Sequence, residues 1–139
     1  MEPRRPAAIL LTVLAYIVAT FGVQGTSHFA VNKTHYAQVT YMRAEPIVAM
    51  GITAMVIQGV IFALLFPAFN RAGNPIRNGV LFALAIGVFL ASYIALAEAG
   101  KYAVPSIPSW IVVESGTALV QFGVFGVLLG LIHRPRSAS

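Results

Sequence analysis

Four long apolar stretches alternate with three more polar connections along the chain. The stretches cover approximately residues 7–25, 46–66, 75–99 and 108–132. Each is close to the roughly 20 helical residues needed to cross about 30 Å of hydrocarbon. Within the third, Gly79, Ala83, Gly87, Ala91, Ala95 and Ala99 recur at every fourth position and form a ridge of small side chains. The fourth adds Gly116, Gly123, Gly126 and Gly130, and the second adds Gly51, Gly59 and Ala63. Apolar helices gain little by hiding from apolar lipid, so close approach along small residues drives their association. These positions therefore predict helix contacts within a bundle, or a face for self-association.

The helix starts carry signals of their own. Pro46, Pro75 and Pro108 fall near the first turn of the last three stretches, where a missing N–H costs nothing, and Glu45, Asn74 and Ser106 or Ser109 stand as candidate caps. The connection FNRAGNPIRNG between the second and third stretches is rich in turn formers and suits two neighbouring antiparallel helices. The expected fold is all-α, a four-helix transmembrane bundle that makes one domain of residues 1–139.

Composition agrees with a bilayer environment, at 58% apolar and only 9% charged residues. With no cysteine, the chain has no disulfide, thiolate metal site or thiol chemistry. The opening MEPRRPAAILLTVLAYIVATFGVQG has an apolar run too long for a cleaved leader and is expected to stay as the first helix. Charge sets the orientation. Arg4, Arg5, Arg71, Arg77, Arg134 and Arg136 all fall on one side, which with Glu2 gives it a net +5, whereas Lys33, Arg43 and Lys101 balance Glu45, Glu98 and Glu114 on the other. By the positive-inside rule both termini are expected in the cytoplasm. The basic residues form separated pairs rather than a stripe, so nucleic acid is not an expected partner, and anionic lipid head groups are.

The polar groups nearest the apolar stretches are the candidate chemistry. Glu98 closes the third stretch on the ridge face, and Glu114 lies six residues past Pro108, with Thr117 and Gln121 continuing its face at helical spacing. Glu45 and His28 fall at the same outer level. Gln58 and Gln121 lie at similar depths in their helices, near mid-membrane. Ionisable groups in spans commonly mark ligand or ion paths. The expected ligand site thus comprises Glu98, Glu114, His28, Glu45, Gln121 and Gln58. The competing account is structural: the three acids pair with Lys33, Arg43 and Lys101, and the glutamines bond between helices. No pair of ligating residues has metal-site spacing on one helix, and no cofactor is indicated.

The halves of the chain also look alike. SHFAV followed by EPIVAMGITAMVIQGV in the first half parallels GKYAV followed by VESGTALVQFGV in the second, as two weakly repeated helical hairpins would. His28 at the end of the first stretch, the segment from Glu45 to Pro67, the Asn-Pro turn and the spacing from Glu114 to Gln121 resemble small four-span bacterial membrane proteins of no assigned activity. That resemblance implies the topology and a bacterial inner membrane, and nothing about chemistry. The leading expectation for function is binding or transport of a small cationic or amphipathic ligand at the outer polar cluster. An alternative is an accessory subunit that packs as a homo-oligomer or against another membrane protein. A small enzyme using Glu and His as acid and base ranks third.

Overall fold

The computed structural model describes residues 5–134. All regular structure among them is helical, and four helices are long and apolar enough to cross a membrane: Arg5–Val31, Val48–Phe69, Pro75–Lys101 and Ile107–Ile132. The first is α1 (Arg5–Thr26) extended by a π-helical turn (Ser27–Val31), and a short α2 (Lys33–Ala37) follows it. Then come α3 (Val48–Phe69), α4 (Pro75–Ser92) with a second π-helical segment (Tyr93–Glu98) and α5 (Ala99–Lys101), and finally α6 (Ile107–Ile132). Both described chain ends and the α3–α4 turn lie at one end of the bundle, here the terminal end. The other two connections form the loop end.

Two of the three expected helix starts hold. The Asn74 side chain accepts from the Ile76 and Arg77 backbone N–H groups at 2.9 and 3.2 Å, with Pro75 opening α4. Ser106, rather than Ser109, caps α6 by accepting from Ser109 N–H at 3.4 Å. Glu45 is not a cap. α3 starts only at Val48, Ile47 holds the cap position without a side-chain bond, and Glu45 is exposed. Pro46 steers the residue before it towards extended backbone, which moves the helix start downstream and out of the reach of Glu45.

α6 is the central helix, packing on α4 along one side and on α1 along the other, while α3 packs on α1. Each sequence-adjacent pair, α1 with α3 and α4 with α6, therefore forms a hairpin, and α1–α6 joins the two. α3 and α4 are linked by a short turn yet meet mainly through Phe82, whose ring lies 6.0, 5.6 and 5.2 Å from those of Phe62, Phe66 and Phe69. The core is aromatic. Tyr16 contacts Phe125 and Phe62 at ring distances of 4.8 and 5.3 Å, above Phe66 and Leu129, which are fully buried.

Glycine makes the α4–α6 crossing. A Cβ on Gly130 would lie 2.5 Å from the Ile76 Cα and the Pro75 carbonyl oxygen, one on Gly126 would lie 2.6 Å from the Val80 Cα, and one on Gly79 would strike the Gly126 and Gly130 backbones. Gly87 receives the Phe122 ring, and Gly59 lies against Val13 of α1. The ridge on α4 is buried at Gly79, Ala83, Gly87, Ala95 and Ala99 and half-buried at Ala91. An every-fourth pattern drifts about 40° per step around an α-helix. The wider π-helical segment between Tyr93 and Glu98 takes up that drift and brings Ala95 and Ala99 back towards α6. Gly51, Gly116 and Gly123 make no helix contact within the chain, since nothing lies within 4 Å of a Cβ placed on any of them.

The terminal end is closed by His133, whose Nε2 lies 3.0 Å from the buried Thr12 hydroxyl and whose ring meets Phe66 edge-on at 5.4 Å. Asn70 donates to the His133 carbonyl oxygen at 3.3 Å. Arg4 and Arg136, two of the orienting arginines, lie outside the described residues. Burial lowers the pKa of His133 below the usual 6.5. The unfolded chain therefore binds the proton more readily, so the stability His133 contributes is present above pH 6.5 and is lost as pH falls through its folded pKa. Thermal unfolding in detergent should show a steeper loss of Tm below pH 6.5 in the wild type than in His133→Gln. Parallel curves for the two would contradict this.

Candidate functional site

The loop end is organised by the π-helical turn that finishes α1. Asn32 N–H bonds five residues back to the Ser27 carbonyl at 2.7 Å, and its side chain donates to Ser27 Oγ at 2.8 Å. Ser27 Oγ in turn lies 3.1 Å from Thr117 Oγ1 on α6. This anchor turns the chain over the end of α6, so that α2 lays Tyr36 across it. The Tyr36 hydroxyl donates to Glu114 Oε1 at 2.8 Å. The His28 ring stacks on Tyr36 at 3.6 Å and 12°. His28 Nδ1 lies 3.0 Å from the Gln24 carbonyl oxygen. A carbonyl only accepts, so Nδ1 carries the hydrogen and Nε2 is left with its lone pair in the neutral ring.

Further aromatic groups ring the same end. His35 Nδ1 lies 3.1 Å from Ser109 Oγ, and its Nε2 is buried with no partner among the described residues. The His35 ring is 5.8 Å from that of Trp110, which donates from Nε1 to the Ile94 carbonyl oxygen at 3.0 Å. Ile94 lies in the second π-helical segment, where the regular α-helical ladder is interrupted and a carbonyl is free to take an outside donor. Tyr41 and Tyr102 face each other at 5.6 Å, and Lys101 Nζ stands 5.4 Å over the Tyr102 ring.

Glu98 and Glu114 are both half-buried. Burial, then Glu98, then Glu114 raise the pKa of the Tyr41 hydroxyl, which places both carboxylates within electrostatic reach of one phenol. The Tyr36 hydroxyl is pushed up more strongly, by burial first and then by Glu114, which accepts its hydrogen bond and repels its anion. Among the described residues no ion pair within 4.0 Å joins Glu45, Glu98 or Glu114 to a cation. Lys33, Arg43 and Lys101 are all exposed. No group of three or more His, Asp or Glu residues among the described ones is placed to hold a metal ion.

Of the six expected site residues, His28 and Glu114 meet through Tyr36, and Glu98 shares with Glu114 the electrostatic reach of Tyr41. Glu45 stays exposed and makes no side-chain hydrogen bond or ion pair among the described residues. Gln121 on α6 and Gln58 on α3 sit deeper, bonded to a ladder of polar side chains at four-residue intervals on α1. Gln24 donates to Gln121 Oε1 at 2.8 Å, Gln121 donates to Thr20 at 3.0 Å, and Tyr16 donates to Gln58 Oε1 at 2.8 Å. Both glutamines thus tie their helices to α1. Tyr36, Tyr41 and Trp110, which fit an interfacial aromatic belt and stand outside the six expected residues, also lie at this end. The α1 signal, Thr12-Tyr16-Thr20-Gln24 at helical spacing, stands in the sequence. That of Tyr36 does not, since it depends on the fold of a loop.

Two grooves open sideways, away from the carboxylates. One of about 520 Å³ between α1 and α6 is lined by Gly22, Val23, Thr26, Asn32, Gly116 and Thr117, among others. The other, of about 310 Å³ between α4 and α6, is lined by Gly87, Ala91, Ala95, Ser115 and Ala118, among others. Neither is lined by Glu98 or Glu114. No family model matches the chain, and no curated protein or solved structure is significantly similar to it.

Proposed function

We propose that this protein binds a small organic cation at the outer surface of a bacterial inner membrane, through the carboxylates of Glu114 and Glu98 and the exposed rings of Tyr41 and Tyr102. One observation carries the reading: two half-buried carboxylates share one tyrosine-rich end of the bundle and pair with no cation among the described residues. Carboxylate charge with aromatic faces is the chemistry that recognises ammonium and phosphonium groups. Below Glu114 the space is filled by the Ser27–Thr117 and Gln24–Gln121 pairs and then by the aromatic core. That filling favours surface capture over passage through the bundle. Tetraphenylphosphonium, an aromatic cation, is a suitable probe. It should bind saturably to protein in nanodiscs, and a lack of saturation up to about 1 mM, the weak end of specific recognition, would reject the reading.

The proposed orientation places both termini in the cytoplasm, on the arginine asymmetry. Thr34 and Ala72 are exposed at opposite ends of this cysteine-free chain. In intact cells Thr34→Cys should react with an impermeant thiol reagent and Ala72→Cys should not. The reverse pattern would invert the topology and move the cation site to the cytoplasmic face. A second reading, an accessory subunit of a membrane complex, is favoured by Gly22, Gly25, Gly51, Gly116 and Gly123, which line no close contact within the chain.

A further inference from the structure

The half of α3 nearest the loop end lies bare. Every residue from Val48 to Ala54 is exposed, and Met55 is the first buried one. Gly51, Ala54, Gln58, Ile61 and Leu65 fall at alternating spacings of three and four, on a single face of the helix. Ile61 and Leu65 are 49% and 51% exposed. Gln58 is the one polar side chain in this row. The nearby Thr53 hydroxyl is already bonded to the Ala49 carbonyl at 2.8 Å.

Gln58 has unused bonding capacity. Its Oε1 accepts from Tyr16, which occupies one of two lone pairs, and its amide nitrogen has no hydrogen-bond partner among the described residues. It lies ten residues into the 22-residue α3, about 15 Å below the helix start and near mid-membrane. Hydrocarbon at that depth offers neither water nor any other acceptor.

We propose that α3 docks against α3 of a second copy in a parallel dimer whose two-fold axis runs along the membrane normal, with each Gln58 amide donating to Oε1 of the other. A primary amide is its own complement, and a two-fold axis makes both bonds at once. A different partner would need a matching polar group at this depth, whereas a second copy brings one by symmetry. Ala54 and Gly51, about one and two turns closer to the loop end, let the two backbones approach, in the manner of small-residue helix pairs.

The test uses single cysteines under oxidative cross-linking in the membrane. Ala54→Cys should give a disulfide-linked dimer, while Val18→Cys, at a 68% exposed position on α1, should not. On the Ala54→Cys background, Gln58→Leu should lower the cross-linked fraction at least tenfold. Because that change also strips Tyr16 of its acceptor, Gly51→Leu serves as the independent variant. Its side chain would enter open space in the monomer, so folding is spared, and it should lower the fraction equally. Three results would overturn the proposal: a dimer no stronger than that of Val18→Cys, a dimer unaffected by both second changes, or cross-linking only to a different protein.

Discussion

Gly79→Leu is expected to be the most damaging single substitution in the chain, with the α4–α6 hairpin losing its crossing. At Gly79 even the first carbon of a side chain would overlap the Gly126 and Gly130 backbones, which cannot rotate away as a side chain can. At Gly87 the obstacle is the Phe122 ring, which has some freedom to shift. Leu90→Ala removes volume from a half-buried, core-packed position without forcing anything apart. Overpacking of a tight core costs about 1–3 kcal/mol and sometimes more. In a bilayer, an opened crossing is not compensated by water-driven collapse. The expected order of Tm loss in detergent is Gly79→Leu, then Gly87→Leu, then Leu90→Ala. Equal loss for Gly79→Leu and Leu90→Ala would mean that α4 does not meet α6 at this point.

The second large effect falls on binding. Glu114→Gln should weaken tetraphenylphosphonium binding roughly 30-fold, about 2 kcal/mol, the low end for truncating one partner of a desolvated charge pair. The low end applies because Glu114 is half-buried, and solvent screens part of its attraction. Tyr36→Phe should act differently. The phenol competes for the same carboxylate oxygen at 2.8 Å, so its removal costs stability, about 1 kcal/mol for one hydrogen bond, while affinity is held or tightened. A parallel loss of affinity in both variants would instead mark Glu114 as a structural acceptor for Tyr36, and the substitutions would report a distorted loop end.

Much of this arrangement was legible in the sequence because it depends on local geometry. The Asn74 and Ser106 caps, the α4 ridge and the shared face of Glu114, Thr117 and Gln121 all follow from helical spacing within one element. What escaped is long-range. Tyr36 lies 78 residues from Glu114, and its place depends on a π-helical turn and a five-residue helix inside a polar connection. The same turn carries the first span on to Val31, beyond its expected end near residue 25. The SHFAV and GKYAV segments, alike in sequence, differ locally: the first is the π-helical turn, and the second runs from α5 into a bend. Gly116 and Gly123 share the seven-residue spacing of Gly130 but contact nothing, because spacing identifies a face and not whether a neighbouring helix covers it.

A bound cation is expected to face the charge of Glu114. Infrared difference spectroscopy, recorded as tetraphenylphosphonium is added to protein in nanodiscs, tests it most directly. At saturating cation a carboxylate stretching band is expected to be perturbed in the wild type and in Glu98→Gln, and the part of that perturbation that survives in Glu98→Gln is expected to be missing in Glu114→Gln. Difference spectra identical in the wild type and Glu114→Gln would contradict it.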